Sequence, residues 1–289
     1  MQHVRMVSLL LALTAAIAYG LSDFVGGLAS RKTHVLHVVL VSYPVSVVLV
    51  AIVAPLAGGT ADAAAMTWGA VSGIAGGLAV LWFYAAMASG PMSVVSPVAA
   101  LLSAALPLLV GLVQGEDPGA VALVGAALAV AAVVLVSKED RGPVDEVVPA
   151  RFTAKVMVLT AGAGIMFALY FALLDRVEAG TGLWPIVLSR AVASATVFAA
   201  AAGTRRVRLA RGRPGALALL AGGLDVLASV TMLYGLQAGL LSLVSVLASL
   251  YPAATVLMAR FVLGERSGPL QKVGLVVAAV SVALIAWPS

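Results

Sequence analysis

Residues 239–266 read GLLSLVSVLASLYPAATVLMARFVLGER, and residues 90–117 read GPMSVVSPVAALLSAALPLLVGLVQGED. Laid over each other without a gap, Gly239 meets Gly90, Ser242 meets Ser93, and Ser245 meets Ser96. Ala248 meets Ala99, Leu250 meets Leu101, and Gly264-Glu265 meets Gly115-Glu116. The same register carries on to Val273-Gly274 over Val124-Gly125, and a one-residue adjustment sets Tyr234 over Tyr84. Shared apolar composition would align Ala, Val and Leu, but it does not align Gly, Ser and Glu. The chain is therefore an internal repeat.

Each repeat is almost wholly apolar. Of 289 residues, 62% are hydrophobic and 10% charged, against roughly 45–50% and about 25% in soluble domains. Mean hydropathy is +1.12, which excludes a disordered chain and points to an integral membrane protein. A helical crossing takes about 20 apolar residues, so ten crossings fit: near 6–29, 35–57, 66–88, 91–114, 118–137, 155–174, 183–203, 214–236, 240–263 and 268–287. The runs are too long for barrel strands and lack alternation. The first run reaches Ala29 with Asp23 inside it, so it is read as a crossing rather than a cleaved leader. The longest polar stretch, 138–154, falls between a first half (1–137) and a second (155–289).

Five crossings per half is an odd number. The second half therefore enters the membrane from the opposite face, and a direct repeat in sequence becomes an inverted repeat in space. That is an architecture of secondary transporters, whose substrate site lies between the halves near the midplane.

Residues 239–285, with Tyr251-Pro252 and the Leu263-Gly264-Glu265-Arg266 turn, resemble the end of an EamA repeat of the drug/metabolite transporter superfamily. Gln114-Gly115-Glu116-Asp117 is a weaker copy in the first half, and Tyr19-Gly20-Leu21-Ser22-Asp23-Phe24 resembles the family's first helix. The resemblance implies a ten-helix carrier, often an exporter of metabolites or drugs. It names no substrate. Several members have cytoplasmic termini. The charge pattern argues the reverse: basic residues crowd the loops after spans 1, 5, 7 and 9, including Arg205, Arg206, Arg208, Arg211 and Arg213. The positive-inside rule places those loops in the cytoplasm and both termini outside, in the cell (inner) membrane. The charge bias is followed here.

Candidate substrate-binding residues are the polar and aromatic groups inside the spans. Asp225, at the centre of span 8, is expensive to insert and marks a pathway or a proton site, or else partners a nearby Arg. Asp23 reads equally as a second carboxylate or as an interfacial cap. Arg190 reads first as a snorkelling side chain, otherwise as the partner of a buried carboxylate or of a substrate's. Tyr19, Trp82, Tyr84 and Tyr234 offer ring faces suited to an organic cation, with Tyr170 and Tyr251 in the same group of helices. The paired serines Ser93, Ser96, Ser242 and Ser245 begin spans 4 and 9. They line a vestibule or bond their own backbone. Gln237 reads as a loop residue, and His34 and His37 as interfacial.

The leading reading is a carrier of a small cationic or zwitterionic metabolite, such as an amino acid or organic amine, with protons as a candidate coupling ion. It would act as a monomer or homodimer in the lipid bilayer, without cofactor, metal or nucleic acid. A channel and a lipid or metabolite translocator are the alternatives. An enzyme is disfavoured: Cys is absent, no HExxH or P-loop pattern occurs, and the intramembrane acids are not clustered as diphosphate chemistry requires.

Overall fold

A computed structural model describes residues 2–30, 32–60, 62–89, 92–136, 153–263 and 268–287. The side chains at 2–5, 84, 87–89, 92–94, 96–97, 256, 259–260 and 263 lie outside the described set. So do the Gly264–Arg266 turn and nearly all of the 138–154 linker.

Among the described residues the protein is helical without strands. The helices are α1 (Gln2–Ser30), α2 (Val35–Val53), α3 (Ala63–Ser89), α4 (Met92–Val113), α5 (Ala120–Val136), α6 (Ala154–Leu174), α7 (Trp184–Gly203), α8 (Gly212–Ala238), α9 (Leu241–Ala248), α10 (Tyr251–Leu263) and α11 (Pro269–Ile285), with a 3-10 turn at Ala54–Ala57 after α2. Six helices are long and apolar enough to cross a bilayer. Four shorter apolar stretches accompany them: Val98–Val113, Ala120–Val136, Leu241–Thr255 and Pro269–Ile285.

The expected span at 240–263 is broken. It divides into α9 and α10 at Ser249 and Leu250. Pro252 has no N–H to give the carbonyl of Ala248, where α9 ends, and its ring would crowd that carbonyl in a continuous helix.

The packing relates the two halves by a pseudo-two-fold. Almost all extensive contacts run between halves rather than within one. They come in reciprocal pairs: α1 with α8 and α3 with α6, α2 with α8 and α3 with α7, α4 with α6 and α1 with α10. Three elements meet their own counterparts, α2 with α7, α4 with α9 and α5 with α11. Single residues obey the same symmetry. A Cβ on Gly125 would meet Ile285 at 2.9 Å, and one on Gly274 would meet the backbone of Val136 at 2.6 Å. Gly125 and Gly274, like Val136 and Ile285, are equivalent in the repeat register. In hydrocarbon, where apolar side chains gain little by meeting one another, such close approach through small residues supplies the packing.

Two faces follow from the loop contacts. On one, Thr60 N donates to the Gly180 carbonyl at 3.3 Å, and Gly239 abuts Ser8 near the start of α1. We call this the terminal face. On the other, the Ala210 N–H donates to the His37 carbonyl at 3.1 Å, and Arg206 Nη1 lies 2.5 Å from His34 Nε2. This is the arginine face.

Candidate functional site

Glycines set the register of the central helices. Along α3, a Cβ at Gly69 would collide with the Pro185 backbone, one at Gly73 with the Ser189 backbone, and one at Gly77 with Thr196. Helix α7 therefore lies directly on α3, and Ser72 bonds Ser189 across the seam at 3.0 Å. That contact turns the next residue, Arg190, into the bundle. Across the pseudo-two-fold, a Cβ at Gly222 would stand 2.5 Å from the Ser42 carbonyl. One turn further along both helices, Ser46 and Asp225 meet.

The result is a buried polar cluster. Arg190 is 5% exposed, and its Nη1 lies 3.3 Å from Asp225 Oδ1. Arg190 Nη2 donates to the Tyr170 hydroxyl at 2.9 Å and to Ser229 Oγ. Its guanidinium carbon is 5.5 Å from the centroid of the Tyr170 ring. Ser46 Oγ donates to Asp225 Oδ2 at 2.7 Å. Arg190 thus does not snorkel. It is held inside by a carboxylate, and the two charges cancel. Asp225 is accordingly a partner of Arg190 and not a free carboxylate.

A cavity of about 120 Å³ lies against this cluster. Its walls come from both halves: Tyr19, Ser22, Asp23 and Gly26 of α1, Val38, Val39, Ser42 and Tyr43 of α2, Gly76, Val80 and Phe83 of α3, Phe167, Tyr170 and Phe171 of α6, Arg190, Asp225, and Ser103 and Tyr251 of the fourth-position helices. Tyr19, Ser22, Asp23 and Gly26 follow the i, i+3, i+4, i+7 spacing of one helix face. The carboxylate of Asp23 has neither an ion pair nor a hydrogen bond among the described residues, and its side chain is exposed to the cavity. The hydroxyl of Tyr19 and Nε of Arg190 are buried without a hydrogen-bond partner among the described residues. Buried polar atoms left unpaired beside a cavity mark where a ligand or an ordered water completes the set.

The cavity lies at mid-depth. Its α1 and α2 residues lie in the halves of those helices nearer the arginine face, and its α6 and α7 residues in the halves nearer the terminal face. At the terminal face α9 forms a plug, every residue of which is buried. Glu116, in the loop after α4, holds this plug: its Oε1 accepts from Leu241 N at 2.8 Å and its Oε2 from Ser242 N at 2.9 Å. A carboxylate at a helix N-terminus satisfies orphan donors and complements the helix dipole. Gln237 adds bonds from its Nε2 to the carbonyls of Val177 and Glu178, at 3.3 and 3.0 Å.

The structure thus brings Tyr19, Asp23, Arg190 and Asp225 together. It does not bring the others. Trp82 is 36% exposed and its ring covers Gly162 on the outside of α6. Tyr234 packs against the main apolar core and does not line the cavity. Ser242 and Ser245 sit inside the plug, where Ser245 Oγ donates to the Leu241 carbonyl at 2.6 Å and Ser242 Oγ has no hydrogen-bond partner among the described residues. The side chains of Tyr84, Ser93 and Ser96 lie outside the described residues. Ser46, Ser229 and Glu116 were not singled out in the sequence as site residues. Gln237 reaches back from the end of α8 to the α6–α7 loop, and His34 caps α2, accepting from Leu36 N at 3.2 Å.

The family model of EamA-like transporters matches residues 6–138 and 154–287, once per half. No curated protein matches the chain. A solved crystal structure, described only as that of a protein, is similar in fold: TM-score 0.75, 16% identity, 96% of this chain and 95% of its own covered. With the apolar helices, the family match makes this a multi-pass integral membrane protein.

Proposed function

Because the chain belongs to the EamA-like transporter family, we propose that it is a secondary carrier of ten crossings that moves a small cationic or zwitterionic metabolite by alternating access. The observation that carries this reading is the cavity between the two halves, plugged toward one face by the Glu116 cap on α9. Charge decides the substrate class. Arg190 and Asp225 neutralise each other, so Asp23 leaves the cavity with one net negative charge. Aromatic rings from α1, α2, α3 and α6 surround it, an environment that suits an ammonium or other organic cation. A proton on Asp23 would compete with that cation, which offers a route to proton exchange. On the positive-inside reading the arginine face is cytoplasmic and α9 plugs the outer side.

The repeat supplies the other half of the cycle. Glu265 is the register equivalent of Glu116, and Met92-Ser93 of Leu241-Ser242. Solid-supported-membrane currents on purified protein, with quaternary amines, guanidinium compounds and amino acids in the presence and absence of a pH gradient, test the reading. A substrate-dependent current that Asp23→Asn removes is expected. Currents elicited only by anions would contradict the substrate class.

A further inference from the structure

A second cavity, of about 460 Å³, lies on the outer surface between α2 and α7. Apart from Ser194 its lining is apolar, with Val39 and Pro44 from α2, Ala195 and Phe198 from α7, and Val207 and Leu209 from the loop that follows. That loop, Arg206 to Ala210, alternates basic and apolar residues, with Val207 and Leu209 turned into the groove. From Ala195 to the end of α7 at Gly203 the groove descends roughly 12 Å from the arginine face at 1.5 Å per residue.

The mouth of the groove is basic and, among the described residues, lacks acid. Arg205, Arg206, Arg208, Arg211 and Arg213 are all exposed. None forms an ion pair among the described residues. Arg206 leans on His34, a base against a base. Burial first, then Arg206 and then His37, hold the His34 imidazole below its usual range. Exposed guanidinium groups with no carboxylate partner among the described residues form half of an anion site. An apolar groove below and an anion site above match one kind of molecule.

We propose that this groove binds an anionic phospholipid, one acyl chain between α2 and α7 and its phosphate on Arg206 and Arg208. Basic pockets between membrane helices on the positively charged side recognise acidic headgroups in this way. The inference does not depend on the carrier reading.

Native mass spectrometry of the detergent-purified chain tests it, with phosphatidylglycerol and phosphatidylcholine of identical acyl chains as probes. One phosphatidylglycerol per chain should be retained in preference to phosphatidylcholine. The double variant Arg206→Gln/Arg208→Gln should weaken it about thirtyfold. Ala195→Trp, at an exposed position on the groove wall, should abolish retention with the arginines intact. Equal retention of the two lipids would overturn the proposal. So would an equal loss in Arg211→Gln/Arg213→Gln, which would mean diffuse attraction. Retention unchanged in Ala195→Trp would overturn the groove.

Discussion

Replacing Glu116 with Gln isolates the latch. Both carboxylate oxygens accept backbone N–H groups at the start of α9, at 2.8 and 2.9 Å. Bonds to an ionised acceptor contribute about 1.5–3 kcal/mol each. Glutamine keeps one neutral acceptor, so the sealed state should lose about 2–3 kcal/mol, a shift of roughly 30- to 150-fold toward the state open at the terminal face. The chain contains no Cys, so a single introduced thiol reports access without background. Ser103, on the cavity wall, is the reporter position, and Thr204→Cys marks the arginine face. An impermeant maleimide should label Ser103→Cys from the arginine face in the parent. In the Glu116→Gln background, labelling from the terminal face should rise by at least an order of magnitude. Unchanged sidedness, with the protein folded, would refute the latch.

Four further outcomes are expected. Asp225→Asn should lower stability by about 3–5 kcal/mol, because it strands Arg190 without a counter-charge; thermal unfolding in detergent would show it, with Arg190→Met/Asp225→Asn recovering part of the loss. Asp23→Asn should leave the unfolding temperature unchanged while weakening binding of an organic cation, measured by isothermal titration. Gly222→Ala, whose Cβ would stand 2.5 Å from the Ser42 carbonyl, should destabilise by about 1–3 kcal/mol, whereas Gly26→Ala, with nothing within 4 Å, should be neutral in the same melt. Asp175, just beyond α6, is lifted to about 6 from 3.8 by burial and then by the charge of Glu116, against the opposing pull of Arg176. Its ionisation is disfavoured in the sealed state, so the seal should weaken as pH rises through about 6,. Maleimide access at Ser103→Cys across that range reads this directly, and Asp175→Asn should flatten the profile.

The apolar helices were legible because hydrocarbon leaves the chain few alternatives to helices. The repeat was legible because Gly, Ser and Glu align in one register, and Gly125 and Gly274 of that register each pack against the other half. The face each side chain presents was not legible. Helix α3 is apolar on all sides, so nothing in its pattern separates Trp82 on the outside from Val80 and Phe83 on the cavity wall,. Arg190 and Asp225 were visible one at a time. Their pairing depends on α7 and α8 docking separately onto α3 and α2 through glycines, a relation that spacing along the chain does not encode. Ser46 and Ser229 look like any serine that bonds its own helix. Glu116 lay in a loop motif, and its role as a cap appears only once α9 breaks away from α10 ahead of Pro252.

The central claim is that one cavity, made by both halves and charged by Asp23, is exposed alternately to the two faces. Counterflow in proteoliposomes tests it most directly: vesicles loaded with an unlabelled organic amine, a trace of the same labelled compound outside. The account predicts transient, saturable accumulation of label above equilibrium, lost in Asp23→Asn and retained in Ser242→Ala. Label that equilibrates without overshoot and rises linearly with concentration would mean a pore, and the alternating carrier would be wrong.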